Sequence, residues 1–414
     1  AGIEFFKIHS SKSIDLINKL SSVVDLEQEK DKLELYCIAL TGNQIELASR
    51  EEISSKNIGW AISELSTTEG ETIYLPSQSN KYATKQENNS WYKVIATHQT
   101  GHIEFGSFKF SFANPPIHFV DIRKKFLAEI EAKNKSSNNN ANKFLTNIQQ
   151  FFNLFPNKDL ALDIFTVIEG GRIDNRVKHD YAGIKTQYEK IQLESLELRP
   201  NLESLPTKKM LVEILLQFSI TQKGTLNIPT EHKQQIKQTT NIANKALRPT
   251  STVEDSAEAT LRIYSIIAPL EDEDLSENPW ENIDLENEIE ESELETNSDA
   301  DQEFNNYNFE TSTTTEENYD PIDGTEYRGE FKPELTHFFE SLRENNGSVS
   351  DDSMNEQSTK ELLEQMLSQS SEIDQADNLE IDSKTIENIL NEMNIQQPKS
   401  SEYNQGNLTH AEED

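Results

Sequence analysis

The sequence predicts a mainly α-helical protein with a small β element, followed by a long, disordered acidic tail. Apolar residues recur at helical spacing over most of residues 1–270, whereas strand-like patterning is confined to one short run. Only 34% of the 414 residues are hydrophobic and the formal net charge is −36, so part of the chain lacks the apolar surface needed to fold. We therefore expect a globular body first and a solvated tail after it.

The charge is concentrated at one end of the chain. Residues 271–414 contain 42 Asp and Glu residues and 6 Lys and Arg residues, so they carry the whole net charge of −36 and residues 1–270 are neutral. This division predicts an N-terminal helical segment over 1–60, a helical body over 61–270 and the acidic tail over 271–414.

A neutral body and an acidic tail argue against two classes of partner. Nucleic acid requires a concentrated basic surface, so we expect no nucleic-acid binding. No stretch approaches the ~18 apolar residues that span a bilayer, so we expect no membrane insertion. The start, AGIEFFKIHSSKS, lacks the basic and apolar regions of a signal peptide, which predicts a cytoplasmic protein. Cys37 is the only cysteine, and its apolar helix favours a packing role.

The predicted elements follow from local periodicity and from capping and turn residues. A helix is expected to open at Trp91, with Asn89-Ser90 as its N-cap, and to run to His102. The others, in chain order, are helices over 12–40, a strand over 71–75 and helices over 160–177, 184–198, 207–220 and 253–270.

Three short amphipathic helices are predicted inside the acidic tail, over 333–343, 358–367 and 383–393. Each places apolar residues on one face. Such stripes favour docking into a partner groove, and the predicted partner-binding residues are Phe338, Phe339, Leu362 and Leu363. The alternatives are residual hydrophobicity or folding back onto the body.

The sharpest chemical motif is His98-Gln-Thr-Gly-His102. Histidines at i and i+4 share a helix face and can hold one zinc ion, with Glu169 as a third ligand. Peptidases of this type need a Glu as general base, where this chain has Gln99. Two interpretations stay open: a zinc site, extending to a zinc-dependent hydrolase with a degenerate zincin-like helical core, or two histidines satisfied by hydrogen bonds in an apolar core.

The residues after Glu169 add no nucleotide-binding signature. Gly170-Gly171 indicates a helix interruption or a point of close packing, and no G-x-x-x-x-G-K-[ST] motif occurs, so the chain is not itself a P-loop ATPase. Arg172 and Asp174 are predicted to form local ion pairs, with a binding role as the alternative.

Two blocks of the sequence resemble a known family. The first is WYKVIATHQTGHIEFGSF at 91–108. The second comprises LFP at 154–156, DIFTVIEGGRID at 163–174, YAGI at 181–184 and LRP at 198–200. Together they resemble the N-terminal half of the NorD/CbbO group, the nitric-oxide-reductase activation proteins and Rubisco-activase partner subunits, over about residues 50–270.

The resemblance implies a non-enzymatic adaptor that directs a MoxR-type AAA+ ATPase to a target enzyme. Members of the family carry an acidic linker and then a von Willebrand factor A domain with a D-x-S-x-S metal site. This chain has the linker and no D-x-S-x-S, which implies either a fragment or an A domain on a separate protein.

Overall fold

The helix Lys158–Asp180 lies between two apolar cores and organises the fold. The structure is a computed structural model that describes residues 21–51, 67–69, 72–128, 146–222, 225–272, 279–284 and 319–331. All of these residues belong to one compact unit. The helices are α1 (Leu26–Thr41), α2 (Lys85–Glu104), α3 (Asn147–Phe152), α4 (Lys158–Asp180), α5 (Lys185–Glu197), α6 (Thr207–Thr221), α7 (Lys233–Ala246) and α8 (Val253–Ile267). The strands are β1 (Val24–Asp25), β2 (Glu46–Ser49), β3 (Thr67–Glu69), β4 (Thr72–Leu75), β5 (Gln78–Ser79), β6 (Thr225–Pro229) and β7 (Trp280–Asp284).

The predicted fold class, mainly α with a small β element, is confirmed. Strand β4 forms at the predicted run and pairs parallel with β2 and antiparallel with β3, which places Ile73 opposite Leu47. Two further antiparallel pairs join β1 to β5 and β6 to β7. No helix in the described ranges is long and apolar enough to cross a membrane.

Both apolar cores use α4 because its buried stripe changes face along its length. Near its start, Ile164 and Phe165 pack with α3, α6 and α8 in the larger core. Towards its end, Ile173 and Val177 pack with α1, α2 and α5 in the second. Each such buried side chain contributes about 1.5–3 kcal/mol relative to exposure, so α4 holds the two halves of the body together.

Capping residues set the helix boundaries. Asp25 accepts a hydrogen bond from the Glu27 N–H to begin α1, and Asn157 accepts one from the Leu160 N–H to begin α4. Helix α1 ends at Gly42, whose φ of 69° favours glycine. The described part of the predicted 12–40 helix is α1, and residues 1–20 lie outside the described part of the chain.

The predicted start of α2 is wrong. The helix begins at Lys85, because Thr84 accepts a hydrogen bond from the Glu87 N–H and caps it well before Asn89-Ser90. Asn88 is buried inside the first turns, where its side chain bonds the backbone of Lys81 and Tyr82. Asn88 therefore joins the loop at Lys81 and Tyr82 to the helix, which extends further towards its N-terminus than predicted.

The boundary predicted after residue 270 is also wrong. Strand β7 pairs with β6, and residues 319–331, which we call the strap, pack into the body. Ile283 and Phe331 are 8% exposed and Tyr327 is 1% exposed, so apolar burial here outweighs the acidic composition. The three predicted tail helices over 333–343, 358–367 and 383–393, with Phe338, Phe339, Leu362 and Leu363, lie outside the described residues.

Candidate functional site: a buried polar network

Helices α2 and α4 approach closely enough to enclose a polar network. A Cβ on Gly101 would lie 2.8 Å from Ile173 Cγ2, so glycine is needed at this contact. His98, Gln99 and His102 are each 1% exposed or less, although polar side chains seldom occupy such positions without partners. Tyr188, Ser107 and the Arg328 carbonyl are among the partners of these three side chains.

His98 is oriented by a carboxylate and a phenol. Its Nδ1 lies 2.7 Å from the Tyr188 hydroxyl and 3.0 Å from Asp174 Oδ1, and the hydroxyl donates its proton to that same Oδ1 at 2.8 Å. Nδ1 therefore carries the ring proton. Nε2 is left as an acceptor with no partner among the described residues. Burial lowers the pKa of His98, although its hydrogen bond to Asp174 opposes the shift.

His102 reaches a second carboxylate through a hydroxyl. Ser107 Oγ lies 2.8 Å from His102 Nδ1 and donates to Glu169 Oε1, so Nδ1 is again the protonated nitrogen. Burial lowers the pKa of His102 well below its usual value, and the guanidinium charges of Arg172 and Arg328 lower it further. Both histidines are therefore neutral at physiological pH.

Glu169 is bound on both of its oxygens. Arg172 donates to it through Nε at 2.8 Å and Nη2 at 2.6 Å, and Ser256 on α8 donates at 2.7 Å. Burial alone would raise the pKa of Glu169, but the Arg172 guanidinium and these hydrogen bonds hold it below its usual range. Glu169 therefore serves as the anionic half of a buried ion pair.

Asp174 is paired with an arginine 154 residues away in sequence. Arg328 of the strap donates to Asp174 Oδ2 through Nη2 at 2.7 Å and Nε at 3.0 Å. Tyr327 and Gln192 donate to the same oxygen at 2.6 and 2.9 Å. Burial alone would raise the pKa of Asp174, but the Arg328 charge and the His98 hydrogen bond hold it well below its usual range.

Gln99, which stands where a zinc peptidase has its general base, is a structural connector. Its side-chain oxygen accepts a hydrogen bond from Thr68 of β3 at 2.6 Å, and its amide donates to the Arg328 carbonyl at 2.5 Å. The amide therefore joins the small sheet to the strap, which a glutamate could not do because it lacks a donor.

The predicted three-ligand zinc site is wrong. The i, i+4 spacing does bring His98 and His102 together, with ring centroids 4.9 Å apart. Glu169, however, is held by Arg172, and Ser107 bridges it to His102. Across the described residues, no group of three or more His, Cys, Asp or Glu residues could hold a metal ion. The interpretation as hydrogen-bonded core histidines fits this geometry.

Close packing, not a break in the helix, explains the glycine pair. Helix α4 is continuous through Gly170 and Gly171. A Cβ on Gly171 would lie 2.7 Å from Leu247 Cδ2 and 2.8 Å from Ser219 Cβ. One on Gly170 would lie 3.1 Å from Arg328 Cδ. The pair thus admits α6 on one side and the strap arginine on the other.

Sequence reasoning identified some members of the network and missed others. The local ion pair predicted for Arg172 is confirmed, whereas the one predicted for Asp174 is wrong because its partner is Arg328. Tyr327 and Arg328 sit in an acidic stretch with no pattern that marks them as buried. Cys37 is buried as predicted, and burial raises its pKa to about 11.

A second set of buried carboxylates holds the loop over residues 111–123, which we call the 111–123 loop. Glu258 on α8 accepts hydrogen bonds from the backbone N–H groups of Ile122 and Arg123 at 3.0 and 3.1 Å. Asp255 accepts one from the Ile117 N–H at 2.9 Å. The loop is thereby fixed while Ile117 and Val120 remain 58% exposed.

Comparison with known proteins identified no relative of the chain. None of the protein-family models, curated proteins or solved structures compared with the chain matches it.

Proposed function

We propose that the chain is a non-enzymatic adaptor that works with a MoxR-type AAA+ ATPase to activate or remodel a target enzyme. Nitric oxide reductase and Rubisco are the targets in the NorD/CbbO group, which the two sequence blocks resemble. One observation carries the proposal: the polar side chains of both blocks are buried and bound to one another. His98 contacts Asp174, and His102 reaches Glu169 through Ser107.

This arrangement favours a scaffold over a reaction site. A catalytic group must reach its substrate, whereas His98, His102 and Glu169 are each 1% exposed or less and engaged within the protein. Within the described residues, the network has one buried side-chain atom without a partner, His98 Nε2, and its other hydrogen bonds make the core rigid. Rigidity of this kind suits a subunit that must present a fixed surface to two partners and transmit force between them.

The 111–123 loop is the surface of the body that best fits a protein partner. Exposed apolar side chains on a fixed loop lose little conformational entropy when a partner covers them. Ile117 and Val120 meet this condition because Asp255 and Glu258 hold their backbone. The tail residues Phe338, Phe339, Leu362 and Leu363 provide a second proposed contact, through helix-in-groove docking.

Complex formation with the ATPase tests the proposal. The purified chain, mixed with a MoxR-type ATPase from the same organism in the presence of ATP and magnesium, should co-elute with the ring on size exclusion. Absence of a complex at micromolar concentrations of both proteins would contradict the adaptor role. Sequencing the neighbouring reading frames tests for a MoxR-type gene, whose product is the ATPase to use.

Surface variants then locate the contact. Replacing both Ile117 and Val120 by Ser should weaken the complex without changing the melting temperature, because both side chains are exposed. Leu35→Ser is the matched control, since Leu35 is 68% exposed on α1, outside the 111–123 loop. Phe338→Ser with Phe339→Ser, and Leu362→Ser with Leu363→Ser, test the tail. Equal retention of every variant in a pull-down would remove these sites.

A further inference from the structure

The strap is attached to the body in the manner of a bound peptide. Its residues, 319–331, form neither helix nor strand, and the backbone hydrogen bonds described within it, from Arg328 and Gly329 to the Thr325 carbonyl, close one turn. Its described contacts with the body are made through side chains or between a side chain and the backbone. By sequence it lies between long acidic stretches, over 285–318 and after 331.

One end of the strap is held by a single body carboxylate. Asp163 on α4 accepts hydrogen bonds from the Tyr319 hydroxyl at 2.9 Å and from the Ile322 N–H at 2.8 Å. Tyr319 is 8% exposed, so its ring is buried as well as bonded. Asp163 thus recognises both a side chain and the direction of the backbone.

The centre of the strap fills a pocket with the shape and charge for an arginine. Arg328 reaches Asp174 with two donors and Ser219 Oγ with another at 3.0 Å. The absence of a side chain on Gly170 opens the space that its Cδ and guanidinium occupy. The Gln99 side-chain amide donates a hydrogen bond to the Arg328 carbonyl. The arginine is therefore recognised at both its side chain and its backbone. Its Nε and Nη2 donate together to the single oxygen Asp174 Oδ2, which the one ammonium group of a lysine cannot reproduce.

Aromatic contacts surround the arginine. The Tyr327 ring packs edge-on against His98, with centroids 5.9 Å apart, and edge-on against Tyr188 at 5.8 Å. The Phe331 ring stacks on His102 with centroids 4.4 Å apart. The rings of His98 and His102 thus pack directly against two aromatic residues of the strap.

The outer contacts are complementary in charge. Lys209 pairs with Asp320 near the start of the strap and Lys81 pairs with Glu326 next to the Tyr-Arg pair, so basic body side chains meet acidic strap side chains at two points. Asp320 is 81% exposed, which marks this pair as a rim contact around the buried arginine.

We propose that the body contains a peptide-binding cleft between α2, α4 and α6, specific for an acidic segment with a Tyr-Arg pair. The strap occupies this cleft as a removable ligand of the same chain. The cleft gives the His98, Gln99 and Asp174 cluster a recognition role that stands independently of any ring ATPase.

The cleft is tested on the intact chain by cutting the strap free after folding. Sites for a sequence-specific protease are inserted within 311–315 and 345–348, where the sequence is polar. After cleavage, a fluorescent peptide of residues 316–334 is added, and its binding is followed by anisotropy while circular dichroism reports the helical content. The labelled peptide should replace the cut strap without loss of helix.

Peptide variants decide whether recognition is specific. A peptide with Arg328→Ala should bind at least about 100-fold more weakly, because it leaves Asp174 buried without its cation. The matched control, Asp320→Asn, should change affinity by less than about 5-fold because it alters an exposed pair. Failure of the labelled peptide to bind, loss of helix as the strap leaves, or equal affinity of all three peptides would each overturn the proposal.

Discussion

At the scale of single residues, the sequence predicts which face of a helix a side chain occupies but not which residues it hydrogen-bonds. The spacing of His98 and His102 correctly places both rings on one helix face. Their hydrogen-bond partners come from α4, from α5 and from Ser107, and the cation that balances Asp174 comes from the strap. Periodicity carries no information on such long-range pairing, so Glu169 was assigned to zinc instead of to Arg172.

Removing the strap arginine should cost much of the stability of the body. Arg328→Ala leaves the fully buried Asp174 without its counter-ion, which typically costs about 3–5 kcal/mol. The unfolding free energy from urea denaturation measures the loss. Lys209→Ala is the control, because its partner Asp320 is exposed and such pairs contribute at most about 1 kcal/mol. Equal losses in the two variants would contradict the assigned network.

Acidification should destabilise the body through its two buried histidines. Burial lowers the pKa of both His98 and His102, so the folded protein keeps them neutral. In the unfolded chain a histidine takes up a proton near about pH 6.5, so their stabilising contribution is complete above that pH and is lost as the pH falls. The unfolding free energy should therefore decrease between about pH 7 and pH 5.

The titration of Asp163 changes the unfolding free energy in the direction opposite to that of the histidines, so Asp163 provides the control. Burial raises its pKa to about 6, above its value in the unfolded chain. Its contribution is therefore present at low pH and is lost as the pH rises through about 6. Asp163→Asn should make the decrease on acidification steeper than in the unaltered protein. A flat or rising profile in this variant would show that the histidines are not held neutral.

At the scale of elements, the helices with a strong apolar stripe were predictable and the irregular ends were not. Helices α4, α5 and α6 form close to the predicted bounds, because burial of one face drives them. The start of α2 was missed because its cap, Thr84, precedes a polar first turn that has no apolar period. Strand β7 was missed for a related reason, since its sequence, WENID, lies in an acidic run.

The glycine pair tests the packing of α4 against its neighbours. Gly171→Ala should destabilise the body by about 1–3 kcal/mol, because the new methyl would overlap Leu247 and Ser219. Gly183→Ala is the matched control, since nothing lies within 4 Å of its Cβ position, and it should change stability by less than about 0.5 kcal/mol. Thermal unfolding of both variants measures the difference. A harmless Gly171→Ala would show that the helices do not approach this closely.

At the scale of the whole molecule, composition located the acidic region but misplaced the end of the body. The count of charges treats residues 271–414 as one tail, whereas β7 and the strap are buried parts of the folded unit. A few aromatic residues and one arginine cause the strap to be buried, and their contribution is lost in a composition averaged over 144 positions. The body is therefore assembled from segments that are distant in sequence.

Trypsin cleavage at Arg328 tests this assembly most directly. Arg328 is the only Lys or Arg in residues 271–331, so cleavage there reports on the strap alone. We expect the Arg328–Gly329 bond to survive in the folded protein, because the guanidinium is buried on Asp174 and the carbonyl is bonded to Gln99. Asp174→Asn should expose the bond and accelerate its cleavage, measured by mass spectrometry over time. Rapid cleavage at Arg328 in the unaltered protein with its full helical content would show that the strap is not buried against Asp174 and Gln99.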